Sequence, residues 1–227
     1  MPEIVIMKEI KGRNEEYAEA NRRKFAEDHV LLVNVMGAPG AGKTCFLMAL
    51  CRELKNRGIR SAVIEGDLYS SIDTDAFIKE GFESLQINTV GECHIDAGVV
   101  RQGYDQLGFT HGVVFVENVG NLICPAEFDL GEGLRIITAS TPEGDDKPYK
   151  YVPMYSYVDA VVLTKCDLKD AVGFDTEHFT EGLRALNDAP VYETSAGSAD
   201  STSGIGAVAD LIEGEYKMAL TVSVPMP

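Results

Sequence analysis

Apolar residues along this chain follow two alternating rhythms. The run VLLVNVM (residues 30–36) is continuous, rich in β-branched side chains and of strand length, which predicts a strand buried on both faces. It stops at a glycine-rich turn. From Lys43 to Arg57 the apolar positions Phe46, Leu47, Leu50 and Leu54 recur at helical spacing, and Gly58 closes that helix. The alternation then repeats. Strand-like runs occupy 61–65, 84–88, 112–117, 134–140, 158–164 and 189–194. Helical spacings fall between them, at Ala97, Val100, Tyr104 and Leu107 and again at Phe179, Leu183 and Leu186. A last helix is predicted over 204–219, with Ile205, Val208, Ala209 and Ile212 on its inner face. The charged stretch NEEYAEANRRKFAEDH (14–29) reads as a surface helix, TPEGDDKPYKYVP (141–153) as a loop and 221–227 as a loose tail. Strands alternating with helices predict an α/β fold, doubly wound, with a mainly parallel sheet and helices on both faces. The expected organisation is a helical extension at 1–29, one domain at 30–220 and the tail. Ligands of such sheets sit beyond the carboxyl ends of the strands, so chemistry is expected there.

Composition narrows the class. Hydrophobic residues at 45% and charged residues at 25% suit a chain that buries a core, and no apolar stretch nears the ~18 residues of a membrane span. The start lacks a basic segment, apolar run and small-residue cleavage site, so no secretory signal is read and a cytoplasmic location with no membrane partner is expected. A formal charge of −16 repels phosphate backbones and argues against nucleic-acid binding. The five cysteines are odd in number, which opposes a disulfide framework and leaves packing, metal and redox roles open.

The strongest chemical signal is GAPGAGKT (37–44), which fits G-x-x-x-x-G-K-[ST] in full, after a predicted strand and before a predicted helix. Glycines let the backbone wrap so that amide N–H groups of Gly37, Ala38, Gly40, Ala41 and Gly42 face phosphate oxygens, and the helix adds its positive end. Lys43 is expected to reach the β- and γ-phosphates, and the Thr44 hydroxyl to ligate Mg²⁺. The bland alternative is a glycine turn that happens to fit. Three carboxylates stand at or just past neighbouring strand ends: Asp67, Asp73 in a switch-like loop, and Glu117, with Gly120 shortly after. Singly, each reads as solvated or capping. Together, beside this loop, they read as magnesium and water ligands, with Asp67 and Glu117 the candidates for catalysis alongside Lys43.

LTKCDL (163–168) resembles the guanine-reading segment of GTPases, Asn-Lys-x-Asp. Asp167 would accept from the N1–H and exocyclic amine of guanine, a pair that adenine lacks. Lys165 would lay its stem along the base. Thr164 stands where Asn is usual. TSAGS (194–198) resembles the segment whose serine and alanine, here Ser195 and Ala196, touch the guanine carbonyl. GTP is therefore expected over ATP, and an ATP-dependent kinase is the rival.

Cys93 and His94 are adjacent in GECHIDAG, and Cys124 lies in ENVGNLICP, both near strand ends. Thiolate plus imidazole suits Ni²⁺ or Zn²⁺, though one chain supplies too few ligands to close a site, and on chemistry alone such residues more often serve core packing. The segments GAPGAGKT, IEGDLYSSIDTD, GECHIDAG, ENVGNLICPAEFDLGE, TPEGDDKP and TKCDL together resemble HypB, the nickel-inserting GTPase family of [NiFe]-hydrogenase maturation, over about residues 30–215. That resemblance implies a P-loop NTPase fold of the SIMIBI type, slow GTP hydrolysis and nucleotide-promoted homodimers. It also implies Cys93, His94 and Cys124 as interfacial ligands of nickel or zinc. The implied partners are a HypA-like nickel chaperone and a hydrogenase large-subunit precursor. The start carries no CxxCGC-like motif and no histidine-rich tract, so nickel storage there is not expected. Urease accessory GTPases differ, with Glu-Ser-Gly-Gly where this chain has Glu-Asn-Val-Gly and Cys-Pro-His where His94 directly follows Cys93. From another class, a nucleotide-gated interaction module with packing cysteines is the remaining rival.

Overall fold

The computed structural model describes residues 3–67, 72–89, 93–195 and 204–221. In chain order the elements are α1 (Glu3–Glu27), β1 (Val30–Gly37), α2 (Lys43–Asn56), β2 (Ser61–Asp67), α3 (Ile72–Lys79), β3 (Glu83–Asn88) and α4 (Ala97–Leu107). There follow β4 (Gly112–Glu117), β5 (Leu134–Ser140), α5 (Lys147–Lys150), α6 (Val152–Ser156), β6 (Ala160–Thr164), α7 (Lys169–Val172), α8 (Thr176–Arg184), β7 (Val191–Glu193) and α9 (Ile205–Thr221).

β1 is buried along its whole length, as its unbroken apolar run requires, and lies at the centre of a seven-stranded sheet of order β3-β2-β4-β1-β5-β6-β7. Every pairing is parallel. Alternate residues of β1 feed opposite faces. Leu31, Val33 and Val35 pack with Phe46, Leu47 and Leu50 of α2 and with Ile205, Val208 and Ile212 of α9. Val30 and Leu32 pack with Phe25 of α1 and with Val100 and Tyr104 of α4. A third cluster, Met36, Ile137, Met154, Tyr155, Phe179 and Leu183, closes the β5–β6 end under α6 and α8. Because β1 is flanked by β4 and β5, the chain reverses its direction of strand addition at the carboxyl end of β1, where a crevice forms.

Several expectations need correction. The amino-terminal helix begins at Glu3 and is not merely a surface element: Asn14, Ala18, Asn21 and Phe25, at spacings of four, three and four, form a buried stripe. The stretch 141–153 is not a loop but a short 3₁₀ turn (Thr141–Glu143) followed by α5 and the start of α6, each with proline near its amino end. Asp73 sits in the first turn of α3 rather than in a loop. β6 starts at Ala160 rather than residue 158 and β7 is only three residues long. α9 runs on to Thr221, and the remainder of the proposed tail lies outside the described residues.

Candidate functional site

The turn after β1 is shaped by glycines. Gly40 and Gly42 have φ of 77° and 89°, left-handed values that side chains resist, and Gly42 caps α2 so that the amide end of that helix opens onto the loop. Lys43 is buried. Its ammonium donates to the carbonyls of Gly37 at 3.4 Å and Ala38 at 3.2 Å, folding it over the loop where a phosphate would be the stronger acceptor. The Thr44 hydroxyl donates to Glu117 Oε1 at 3.0 Å and lies 3.4 Å from Asp73 Oδ2. A hydroxyl and two carboxylates thus meet from α2, β4 and α3, a hard-oxygen set of the kind Mg²⁺ takes. A cavity of about 260 Å³ over this point is lined by Pro39, Lys43, Glu65, Asp73, Glu117 and Gly120, among others. Asp67 ends β2, but its side chain lies outside the described residues, as does Ala196.

The segment expected to read the base reaches the same loop. The Thr164 hydroxyl donates to Ala41 O at 2.5 Å, so the residue that departs from the usual Asn still ties the end of β6 to the phosphate loop. Lys165 takes a left-handed φ of 56°, braced by the Thr141 hydroxyl donating to its carbonyl at 2.6 Å, and its ammonium donates to Gly40 O at 2.7 Å. The Asp167 amide donates to Ser195 Oγ at 3.2 Å, which unites the two guanine-type segments. Burial pushes the intervening Cys166 thiol up, so it stays protonated beside the site.

Cys93, His94 and Cys124 line one larger cavity, about 1020 Å³, whose other walls include Arg13 and Tyr17 of α1 and Asp96, Glu127 and Phe128. The His94 ring stacks on Phe128 at 3.9 Å between centroids, which fixes its plane. Cys93 Sγ stands 3.6 Å from His94 Nδ1. Two ligands bound at ~2.3 and ~2.05 Å to one tetrahedral ion are ~3.6 Å apart, so the pair is spaced for such an ion. Among the described residues, no three His, Cys, Asp or Glu side chains are gathered closely enough to hold a metal within one chain. Cys124 shares the cavity without joining the pair.

The matching sequence family is described as "CobW/HypB/UreG, nucleotide-binding domain" and covers residues 31–193. A probable hydrogenase maturation factor HypB of Methanocaldococcus jannaschii is 36% identical over 213 residues, 93% of this chain and 95% of that protein. The chain belongs to the HypB family. A hydrogenase maturation factor HypB of Rhizobium leguminosarum bv. viciae is 38% identical over 205 residues, covering 90% of this chain but only 68% of that longer protein. The crystal structure of HypB from Helicobacter pylori in complex with nickel superposes with a TM-score of 0.85 at 27% identity, over 95% of this chain and 99% of that one. Below 25% identity, the LAO/AO transport system kinase shares the fold alone, with a TM-score of 0.55. A doubly wound P-loop NTPase fold is therefore shown for this HypB-family chain, and no described helix is long and apolar enough to cross a membrane.

Polar residues that pattern reading overlooked hold these loops in place. Asn14 of α1 accepts from Ala97 N at 2.9 Å and donates to Asp129 O at 2.8 Å. Asn21 donates to Ala97 O and Leu130 O, both at 2.9 Å. One helix thus grips the chain just after Cys93–His94 and just after Cys124. The helical spacing of 14, 18, 21 and 25 was the available signal, masked by the charges around it. Glu65, buried on β2, bonds the Thr74 hydroxyl of α3 and so fixes the helix that carries Asp73.

Proposed function

We propose that this chain binds GTP with Mg²⁺, hydrolyses it slowly and uses the cycle to hold and release nickel for hydrogenase maturation. In this reading Lys43 and the loop amides of Gly37, Ala38, Gly40, Ala41 and Gly42 carry the phosphates, while Thr44, Asp73, Asp67 and Glu117 serve magnesium and the attacking water. Thr164, Lys165, Asp167, Ser195 and Ala196 surround guanine. Nickel, or zinc in its place, is cargo taken by Cys93, His94 and Cys124. A second copy of the chain completes the coordination, a HypA-like chaperone supplies the metal and a hydrogenase large-subunit precursor receives it. The domain division at 1–29, 30–220 and 221–227 belongs to the same proposal, with α1 serving the metal loops.

The observation that carries this reading is the meeting of Thr44, Asp73 and Glu117 beside a buried Lys43, within one fold edge that also presents the Cys93–His94 pair at ligand spacing. The exposure of Cys93 and the half-burial of Cys124 oppose the packing alternative. Calorimetric titration with GTP, ATP and nickel tests it. GTP with Mg²⁺ should bind at least ~100-fold tighter than ATP. Heat from ATP equal to that from GTP removes the guanine assignment, and unchanged nickel affinity in Cys93→Ala and Cys124→Ala, with and without GTP, removes the metal half.

A further inference from the structure

β4 ends at Glu117, and the next four residues run between the phosphate loop and the Cys93–His94 turn. On the nucleotide side, Glu117 accepts from the Thr44 hydroxyl at 3.0 Å. Gly120 lies so close to Pro39 that a Cβ would stand 2.9–3.0 Å from its ring and backbone, and Asn121 forms an antiparallel bridge with Gly37. On the metal side, Ile95 N donates to Asn118 Oδ1 at 3.1 Å and Asn121 Nδ2 donates to Cys93 O at 3.2 Å. The tripeptide 93–95 is therefore held at both ends by asparagines three positions apart. Asn121 Oδ1 also accepts from Ile123 N at 2.9 Å, so a single amide spans the turn of Cys93 and the turn leading to Cys124. Asn118 is 1% exposed and oriented by its donation to Asn34 Oδ1, 3.2 Å away on the central strand.

We propose that segment 117–121 carries the nucleotide state to the metal loop, with Asn118 and Asn121 as the positioning residues that hold Cys93 and His94 relative to Cys124. The proposal rests on the function given above. Its physical basis is the lack of slack. When the Thr44 oxygen turns to magnesium, its bond to Glu117 must be remade, and the end of β4 moves with it. Contacts to Pro39 and Gly37 leave no spare residue in the segment to absorb that movement, so it passes to the two amides. Coupling through such an element is reciprocal: the factor by which nucleotide changes nickel affinity is the factor by which nickel changes nucleotide affinity.

Nickel titrations of the full chain, with and without a non-hydrolysable GTP analogue and Mg²⁺, test this for wild type, Asn118→Ala and Asn121→Ala. Hydrogen exchange of the peptide 93–99 is followed alongside. The wild-type nickel affinity is expected to change by about 5–150-fold with nucleotide, the usual span of such couplings. In either variant the change should fall to within about 3-fold while nucleotide affinity itself stays within about 3-fold, by the same reckoning. The analogue should slow exchange at 93–99 in wild type and not in the variants, a signature that simple destabilisation does not produce. Asn121 is partly exposed, so its variant decides the matter if Asn118→Ala fails to fold. An undiminished nucleotide effect in folded variants overturns the proposal, as does a wild type that binds both ligands independently. A wild type that binds GTP but no nickel overturns the underlying metal assignment as well, and is recognised by that pattern.

Discussion

Replacing Asn21 by alanine should loosen the grip of α1 on the loops that follow Cys93–His94 and Cys124, and the structure sets the size of the effect. The side chain is fully buried, and its amide donates to Ala97 O and Leu130 O at 2.9 Å each. Two such bonds contribute ~2 kcal/mol net, and a carbonyl left dry adds ~1–3 kcal/mol. Ala97 stands in the first turn of α4 and keeps a helical N–H on its carbonyl, so the desolvation penalty falls mainly on Leu130. Against this, Asn21 Oδ1 is buried with no hydrogen-bond partner, and deleting it relieves ~1–3 kcal/mol. The balance is a loss of ~2 kcal/mol, which for a chain of this size lowers Tm by ~4–8 °C. Thermal unfolding followed by circular dichroism measures it, with Glu19→Ala as the comparison. Glu19 makes exposed pairs with Arg23 at 3.1 Å and Arg22 at 3.6 Å, and its loss should stay within ~0.5 kcal/mol. A Tm for Asn21→Ala within 2 °C of wild type, roughly half the smallest expected shift, refutes the reasoning that this amide clamps the loops.

Other substitutions probe the sites. Asp167→Asn exchanges a double acceptor for an acceptor and a donor, so GTP affinity should drop ~100-fold or more while a xanthine nucleotide gains, measured by competition binding. Glu117→Gln keeps the contact to Thr44 but removes charge from the proposed magnesium corner; the Mg²⁺ concentration for half-maximal hydrolysis should rise about 10-fold, and an unchanged requirement counts against Glu117 as a ligand. Gly120→Ala would press a methyl against Pro39, and calorimetry should show nucleotide affinity reduced about 10-fold. At acid pH, burial raises the Asp28 carboxyl, but hydrogen bonds from Lys24 and Tyr104 outweigh it and the net shift is downward. Its contribution is then full above the unfolded value of ~3.9 and is lost as pH falls through the lower folded value. The stability gap between wild type and Asp28→Asn in urea titrations should be constant from about pH 5 to 7 and shrink below about pH 4.

The sequence by itself determined the class of fold and its P-loop, because each is written in local terms. Continuous apolar runs such as 30–36 have no stable home except a strand covered on both faces, and helical spacing at 46, 47, 50 and 54 names its own buried side. The glycines and lysine of 37–44 carry their meaning in eight consecutive residues. Tertiary structure alone decided what crosses between elements. That Thr164 replaces Asn without loosening the loop depends on Ala41, more than a hundred residues away. The same holds for Asn14 and Asn21, whose partners lie on α4 and beyond Cys124, and for Asn118 and Asn121, which bracket Cys93. Helical spacing can put Asn14 and Asn21 on the buried face of α1, but an asparagine amide has no preferred neighbour. Only the packed geometry says which carbonyl it meets, and here those meetings set the loops of Cys93 and Cys124 against the glycine turn after β1.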